Sequence, residues 1–253
     1  MTVHADSERL TLLFILAHPD DESFSGAGTV MQCAAAGARS ILVTATLGER
    51  GKVGDPPVCD PRDLAACRAA ELRDAAAIIG FDELYLLNYA DGDLAHAPPD
   101  QIRGELVTHI RNTKPAVVVT FDPNGFNVHP DHVAISRFAS DAIAAAADPR
   151  WHRHAGPPHA VRRVLWTPPV APWYATLSDR LEEQPGADFV IDVSAWRERR
   201  IAALRAHRSQ HLSIDRHFFN KPDLNRILAI EIWRQAWGPA LRERPARDVL
   251  IDL

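Results

Sequence analysis

Leu12-Leu13-Phe14-Ile15-Leu16-Ala17-His18-Pro19-Asp20-Asp21-Glu22 is the stretch on which the reading of this chain turns. Its first half is apolar without interruption, the mark of a strand covered on both faces. Its second half carries one imidazole and three carboxylates. A buried strand has no packing reason to end in so much charge, so the run reads as a scaffold delivering ligands and a base to a cleft. A helix macrodipole favours acids at its N-terminus and would explain the sign of Asp20, Asp21 and Glu22. It does not explain a histidine beside them directly after a buried strand. A second cluster, His129-Pro130-Asp131-His132, follows another apolar run at 116–121.

Working outward, residues 11–17 read as the first strand and 25–36 as a helix that Gly37 stops. Arg39–Thr46 reads as a second strand opening into the glycine-rich loop 47–54, and prolines keep the chain irregular to about Asp63. Leu64–Ile79 has helical spacing and ends at Gly80. Residues 83–88 read as a third strand, 101–112 as a helix, 116–121 as the fourth strand and 133–147 as an alanine-rich helix. Further strands are expected at 161–166, 189–193 and 249–253, with helices at 195–209 and 224–237 between them. The short basic run at 197–200 reads as a solvated helix face.

Strand alternating with helix predicts an α/β, Rossmann-like, three-layer fold with a mainly parallel sheet and right-handed crossovers. The chain has 253 residues, 46% hydrophobic and 24% charged, enough for one large core. We therefore expect a single domain over 1–253, with an elaborated C-terminal third from about residue 150, where Pro157, Pro158, Pro168, Pro169 and Pro172 change the texture. A net charge of −5 gives no reason to expect nucleic acid as partner. Cys33, Cys59 and Cys67 form no C-x-x-C pair, which suggests a reducing compartment and neither a zinc ribbon nor a disulfide framework. The polar opening lacks the apolar core of a signal peptide, and no run approaches the roughly 20 apolar residues of a membrane span. These features lead to an expectation of a cytoplasmic protein without a membrane partner, and a homo-oligomer is compatible with them.

In open α/β sheets, ligands bind beyond the carboxyl ends of the strands. That rule gathers four loops in one place: residues 18–22, 48–54, 91–93 and 122–132. A catalytic zinc takes three protein ligands from His and Asp or Glu and keeps one position open. His18 and Asp21, three apart on a tight turn, can supply two, and His132 the third. Pro130 suits the first position of a helix, which puts His129 at the N-cap and His132 in the first turn. Taken alone, each histidine would be an ordinary hydrogen-bonded loop residue; two Pro-bracketed polar clusters after two core strands carry more weight.

The sequence resembles the LmbE-like (PIG-L) family of zinc-dependent de-N-acetylases. The matching pieces are Ala17-His18-Pro19-Asp20-Asp21-Glu22, Thr46-Leu47-Gly48-Glu49-Arg50-Gly51, residues 68–72, Asp91-Gly92, His129-Pro130-Asp131-His132, and Ala203-Leu204-Arg205-Ala206-His207-Arg208-Ser209-Gln210. Thr120-Phe121-Asp122-Pro123-Asn124-Gly125 is most similar to the mycothiol-pathway branch. The resemblance implies His18, Asp21 and His132 as ligands of zinc, or of another divalent metal such as Fe2+. It implies Asp20 as general base, His129 as the group that stabilises the oxyanion and protonates the leaving amine, and Asp131 as the carboxylate that tunes His129. It also suggests Glu49, Arg68 and Asp91 as contacts for a polyhydroxylated substrate, with His207, Ser209 and Gln210 as structural support. One position departs from the mycothiol branch: Asn127 stands where that branch has an aromatic hydroxyl. Asparagine can donate a hydrogen bond to an oxyanion without the reach or acidity of tyrosine.

The expected activity is thus hydrolysis of an N-acetyl group on a small amino-sugar conjugate. The alternative within the family is an amidase acting on a thiol conjugate or a natural-product intermediate. A nucleotide-binding role lacks support, since Gly26-Ala27-Gly28 is followed by Met31 where the dinucleotide fingerprint wants its third glycine, and there is no G-x-x-x-x-G-K-[ST]. A non-haem iron oxygenase would share the two-histidine, one-carboxylate set.

Overall fold

The computed structural model describes residues 9–167 and 186–253. At its centre lies β1 (Thr11–Leu16), whose Leu12, Leu13, Phe14, Ile15 and Leu16 are all essentially inaccessible to solvent. Each such side chain contributes about 1.5–3 kcal/mol of burial, and cover on both faces leaves this strand no polar side. It pairs in parallel with β2 (Arg39–Thr46) on one flank and β4 (Val117–Phe121) on the other. Beyond β2 lies β3 (Glu83–Tyr89), and beyond β4 lies β5 (Arg163–Thr167), both again parallel. β6 (Phe189–Asp192) and β7 (Ile230–Trp237) complete a seven-stranded sheet of order β3-β2-β1-β4-β5-β7-β6, in which β7 runs antiparallel to both its neighbours.

The helices pack on the two faces of this sheet. After β1 the chain turns through α1 (Asp21–Ser25) and α2 (Ala27–Ala35), so the expected helix over 25–36 begins earlier and breaks at Gly26. α3 (Leu64–Ile79) ends at Gly80 in the left-handed region, φ 95°, as its glycine stop predicts. α4 (Pro99–Thr113) precedes β4, and an irregular turn, α5 (Gly125–Val128), leads into α6 (Pro130–Ala147). The last third adds α7 (Arg197–Ala206), α8 (His211–Ile214), a π-helical turn at Asp215–Phe219 and α9 (Leu224–Ile227). Among the described residues no helix is long and apolar enough to cross a membrane. Pro168, Pro169 and Pro172 lie outside the described residues.

Two expectations for the C-terminal third fail. Residues 249–253 form a turn and not a strand: the Asp248 carboxylate accepts from Leu250 N at 2.8 Å, and Ile251 N bonds to the Asp248 carbonyl. Residues 224–237 are not one helix, because the chain leaves α9 and enters β7. Glu231 misleads the pattern there, reading as the solvent side of a helix while it is 3% exposed inside the sheet. Its carboxylate accepts from Gly28 N (2.8 Å), Thr29 N (2.7 Å) and Thr29 Oγ1 (2.6 Å), and pairs with Arg200 Nη2 at 3.2 Å. Arg200 accordingly turns inward, 2% exposed, out of the basic run expected to be solvated throughout. Removing one member of a buried pair strands the other charge. Glu231→Ala is therefore expected to cost about 3 kcal/mol, read as a lowered urea midpoint, and a midpoint equal to wild type would show that the pair adds nothing.

Candidate active site

The order β2-β1-β4-β5 reverses direction between β1 and β4, and a crevice opens beyond the carboxyl ends of these two strands. Both polar clusters lie there. The loop after β1 is folded back by Asp21, whose Oδ2 accepts from His18 N at 2.7 Å and from Ala17 N at 3.2 Å. The loop after β4 turns at Gly125, φ 66°, where a Cβ would come within 2.7 Å of Val133 N. His129 is the N-cap of α6, its Nδ1 accepting from Asp131 N at 3.2 Å, with Pro130 in the first turn. His132 then projects inward one turn into the helix, as the Pro-bracketed spacing predicts.

Three side chains from these loops converge. His18 Nδ1 lies 3.2 Å from His132 Nε2, His132 Nε2 lies 3.3 Å from Asp21 Oδ1, and His18 Nδ1 lies 3.6 Å from Asp21 Oδ2. A tetrahedral zinc with bonds of about 2.0–2.1 Å has ligand–ligand edges of roughly 3.3 Å. The two contacts of His132 Nε2 match that length, while the contact of His18 with Asp21 runs to the other carboxylate oxygen, the one that also accepts from Ala17 N and His18 N. The remaining ring nitrogens are engaged as metal-binding histidines require. His18 Nε2 faces Asp131 Oδ2 at 3.1 Å and Asp91 Oδ1 at 3.2 Å. His132 Nδ1 bonds to the Gly125 carbonyl at 3.2 Å, and its ring stacks on Phe121 with centroids 3.9 Å apart. Burial opposes charge on His18, yet its hydrogen bonds with Asp131, Asp21 and Asp91 hold its pKa well above the usual histidine value. Three carboxylates, Asp21, Asp91 and Asp131, thus surround this one imidazole.

Two other groupings bring donor atoms within 4.8 Å of one another, His18 with His129 and His132, and His18 with Asp91 and Asp131. The second would take the metal through His18 Nε2. The trio of His18, Asp21 and His132 leaves the second nitrogen of both rings paired, and we favour it for that reason.

Asp20 sits beside this trio. Burial pushes its carboxyl up to about 6, against the pull of Arg68, whose Nη2 lies 3.2 Å from Oδ2. Arg68 is 4% exposed and also donates to the carbonyls of Gly48 (3.0 Å) and Pro19. Gly48 makes this approach feasible, since a Cβ there would fall 2.2 Å from Arg68 Nη1. Arg68 borders the pocket, but its charge is committed to the base, not held out for substrate.

The other expected contacts divide. Asp91 lines the pocket, facing His18 and accepting from Arg50 N at 2.8 Å; despite burial, these bonds draw its carboxyl down to about 2. Glu49 is exposed and does not line the pocket; its Oε1 instead ties the two loops together by accepting from Asp91 N at 2.8 Å. Asp131 directs its carboxylate to His18 and to the amides of Gly92 (2.6 Å) and Leu94 (3.1 Å), away from the ring it was expected to tune. Burial, with His18 and His132 nearby, lowers the pKa of His129, and Asp131 only partly offsets this through space. Asn127 is exposed at the pocket edge, with Oδ1 accepting from His129 N at 3.1 Å.

The cavity over the trio measures about 280 Å³. Its far wall is Phe24, Ser25 and Phe126 together with Gln210, Ser213 and His217. His217 Nδ1 bonds to the Ser213 carbonyl at 2.8 Å across the π-helical turn. Neither Ser213 nor His217 belongs to a motif in the sequence, and only the turn at Asp215–Phe219, which no local pattern announces, brings them to the pocket.

Residues 13–143 match the family model described as PIG-L, GlcNAc-PI de-N-acetylase. The chain is 33% identical over 249 residues to the 1D-myo-inositol 2-acetamido-2-deoxy-alpha-D-glucopyranoside deacetylase of Streptomyces griseus subsp. griseus, covering 82% of this chain and 77% of that one. It is 34% identical to an enzyme of that name, deacetylase 2, from Catenulispora acidiphila, covering 84% and 83%. Among solved structures it superposes on the N,N'-diacetylchitobiose deacetylase of Pyrococcus horikoshii with a TM-score of 0.69 and 22% identity, over 90% of this chain and 84% of that chain, a likeness of fold.

Proposed function

The chain belongs to the PIG-L family of GlcNAc-PI de-N-acetylases, and from that premise we propose that it hydrolyses the acetamide of a 2-acetamido-2-deoxyglucoside joined to a small polyol. The observation that carries this reading is the carboxyl of Asp20, raised to about 6 and held by Arg68, beside the converging side chains of His18, Asp21 and His132. The relatives' substrate, an N-acetylglucosaminyl inositol, is the one we propose. Asp91 and Asn127 are the polar rim that a sugar would meet, while Glu49 ties the loops and Arg68 serves the base.

Zinc held by His18, Asp21 and His132 would supply Lewis acidity, polarising the amide carbonyl and lowering the pKa of water toward about 7. Asp20 takes the proton of the attacking water, its raised pKa matching a group that must gain and lose a proton near neutrality. Arg68 holds the carboxylate in place and stabilises its charged form. His129, with its ring 4.8 Å from that of His18, stands on the pocket's other side. From there it donates a hydrogen bond to the developing oxyanion through Nε2, its Nδ1 being an acceptor from Asp131 N. The proton that Asp20 took from water passes to the nitrogen as the C–N bond breaks. Asn127, whose carbonyl caps His129 N, has its amide N–H2 for the same oxyanion. Acetate and the free amine are the products.

The test is mass spectrometry of 1D-myo-inositol 2-acetamido-2-deoxy-α-D-glucopyranoside incubated with zinc-loaded protein. Loss of one acetyl group is expected, and no turnover of this or any glucosamine-based acetamide would sink the reading. A second expectation concerns Asp131, which holds the imidazole of His18. Asp131→Asn is expected to weaken zinc binding by about 10–100-fold, measured by competition with a chromogenic chelator. An unchanged affinity would limit Asp131 to a role at His129.

A further inference from the structure

Behind the base, on the side away from the pocket, three buried side chains form a chain of hydrogen bonds. Glu22 is 1% exposed, and Ser23 and His207 are inaccessible. Glu22 Oε2 accepts from the backbone N of Asp20 at 3.0 Å. Its Oε1 accepts from Ser23 Oγ at 2.6 Å and pairs with His207 Nε2 at 2.7 Å. The peptide so gripped is an unusual one, because Asp20 adopts φ 116°, ψ −26°. A residue with a Cβ seldom occupies that region, and it stays there only where the surroundings over-determine it.

His207 Nδ1 is buried with no hydrogen-bond partner among the described residues. An unpaired buried nitrogen is a cost, so packing alone would be better served by Phe or Leu. What the imidazole offers in return is the bond to Glu22. The residues that follow brace the same region. Ser209 donates to Glu71 from N (2.8 Å) and Oγ (2.6 Å), and Glu71 lies on α3, the helix that carries Arg68. Gln210 Nε2 donates to the Lys52 carbonyl at 2.8 Å in the loop that follows Gly48. A segment nearly two hundred residues along the chain thus holds the backbone of Asp20 and the helix of its arginine partner.

We propose that His207 is a positioning residue for the base: by fixing Glu22 it locks the strained Asp20 peptide and so aims the Asp20 carboxylate, a role that rests on the deacetylase reading above. The bland alternative is an ion pair that merely joins α1 to α7. The two differ in what a variant loses.

His207→Phe keeps the volume and removes the donor. It is expected to lower kcat on the inositol glucoside by about ten- to thirtyfold, the scale of a small misplacement of a reacting group. KM and the zinc content should stay at their wild-type values, and hydrogen exchange at the Asp20 amide, followed by NMR, should quicken. His207→Gln, whose amide N–H can reach Glu22, is expected to recover most of the kcat and the Asp20 protection. Wild-type kcat and Asp20 exchange in His207→Phe would overturn the proposal, as would loss of zinc in proportion to kcat or a Gln variant no better than Phe. If His207→Phe does not fold, Ser23→Ala tests the same grip. A kcat reduced about threefold at constant KM supports it, and an unchanged kcat overturns it. A wild-type protein that leaves the glucoside untouched would count against the activity alone, since the exchange comparison needs no substrate.

Discussion

Asp20→Asn is expected to lower kcat by about 10³-fold, within the range assigned to a positioned general base, while the protein keeps its full complement of zinc. The substitution preserves the size of the side chain and leaves the backbone bond to Glu22 intact. It removes the carboxylate that receives the proton of water and the partner of Arg68. None of the three contacts that close the proposed metal trio involves Asp20, so bound zinc should not change. The sign of the pH dependence follows. A base works deprotonated, so activity falls as pH drops through the Asp20 pKa, about 6 for the buried carboxyl beside Arg68. A bound cation pulls that value down, placing the acid limb of kcat/KM at or below about pH 6. Residual activity in Asp20→Asn should lack the limb. Zinc and activity lost together would make Asp20 a ligand and end its assignment as base.

The centre of the sheet was legible because β1 and β4 are buried along their whole length and therefore carry nearly unbroken apolar runs. Arg39–Thr46 and Leu64–Ile79 fall where spacing and a glycine stop put them. The crevice was legible for a related reason: charge placed immediately after such runs has nowhere to go but the carboxyl end of the sheet. The antiparallel end of the sheet was not. β7 buries Glu231, Ile232 and Trp233 in succession, and a buried acid satisfied by the amides of a helix 203 residues earlier looks in sequence like one more polar helical position. The site divides in the same way. His18, Asp21 and His132 are set by local turns, whereas the partners of Arg68 and Asp131 come from loops brought in by other strands. Spacing within a motif suggested that Asp131 serves His129, two residues away. The carboxylate serves His18, 113 residues away, because the α6 first turn points it across the crevice. Ser213 and His217 depend on the packing of the C-terminal third and carry no local sign of it.

His132→Ala separates a metal held with His132 from one held against His18 Nε2. If His18, Asp21 and His132 hold zinc, this variant loses one of three ligands. Zinc affinity should then fall by more than the roughly 10–100-fold expected for Asp131→Asn, which disturbs a ligand without removing it. Activity should vanish at one equivalent of zinc and return in part at large excess. Asp20→Asn should gain nothing from added zinc, because its defect is the missing proton acceptor. If the metal instead sat against His18 Nε2 with Asp91 and Asp131, the ranking would invert. His132→Ala would retain zinc, and Asp91→Asn and Asp131→Asn would each abolish binding. The variant also removes the ring stacked on Phe121 and the bond to the Gly125 carbonyl, so its thermal midpoint is expected to drop with or without metal. Zinc titration of the folded protein, below that midpoint, keeps the two effects apart: a structural loss lowers the midpoint equally in apo and loaded protein, whereas a lost ligand removes the extra stability that zinc confers on wild type.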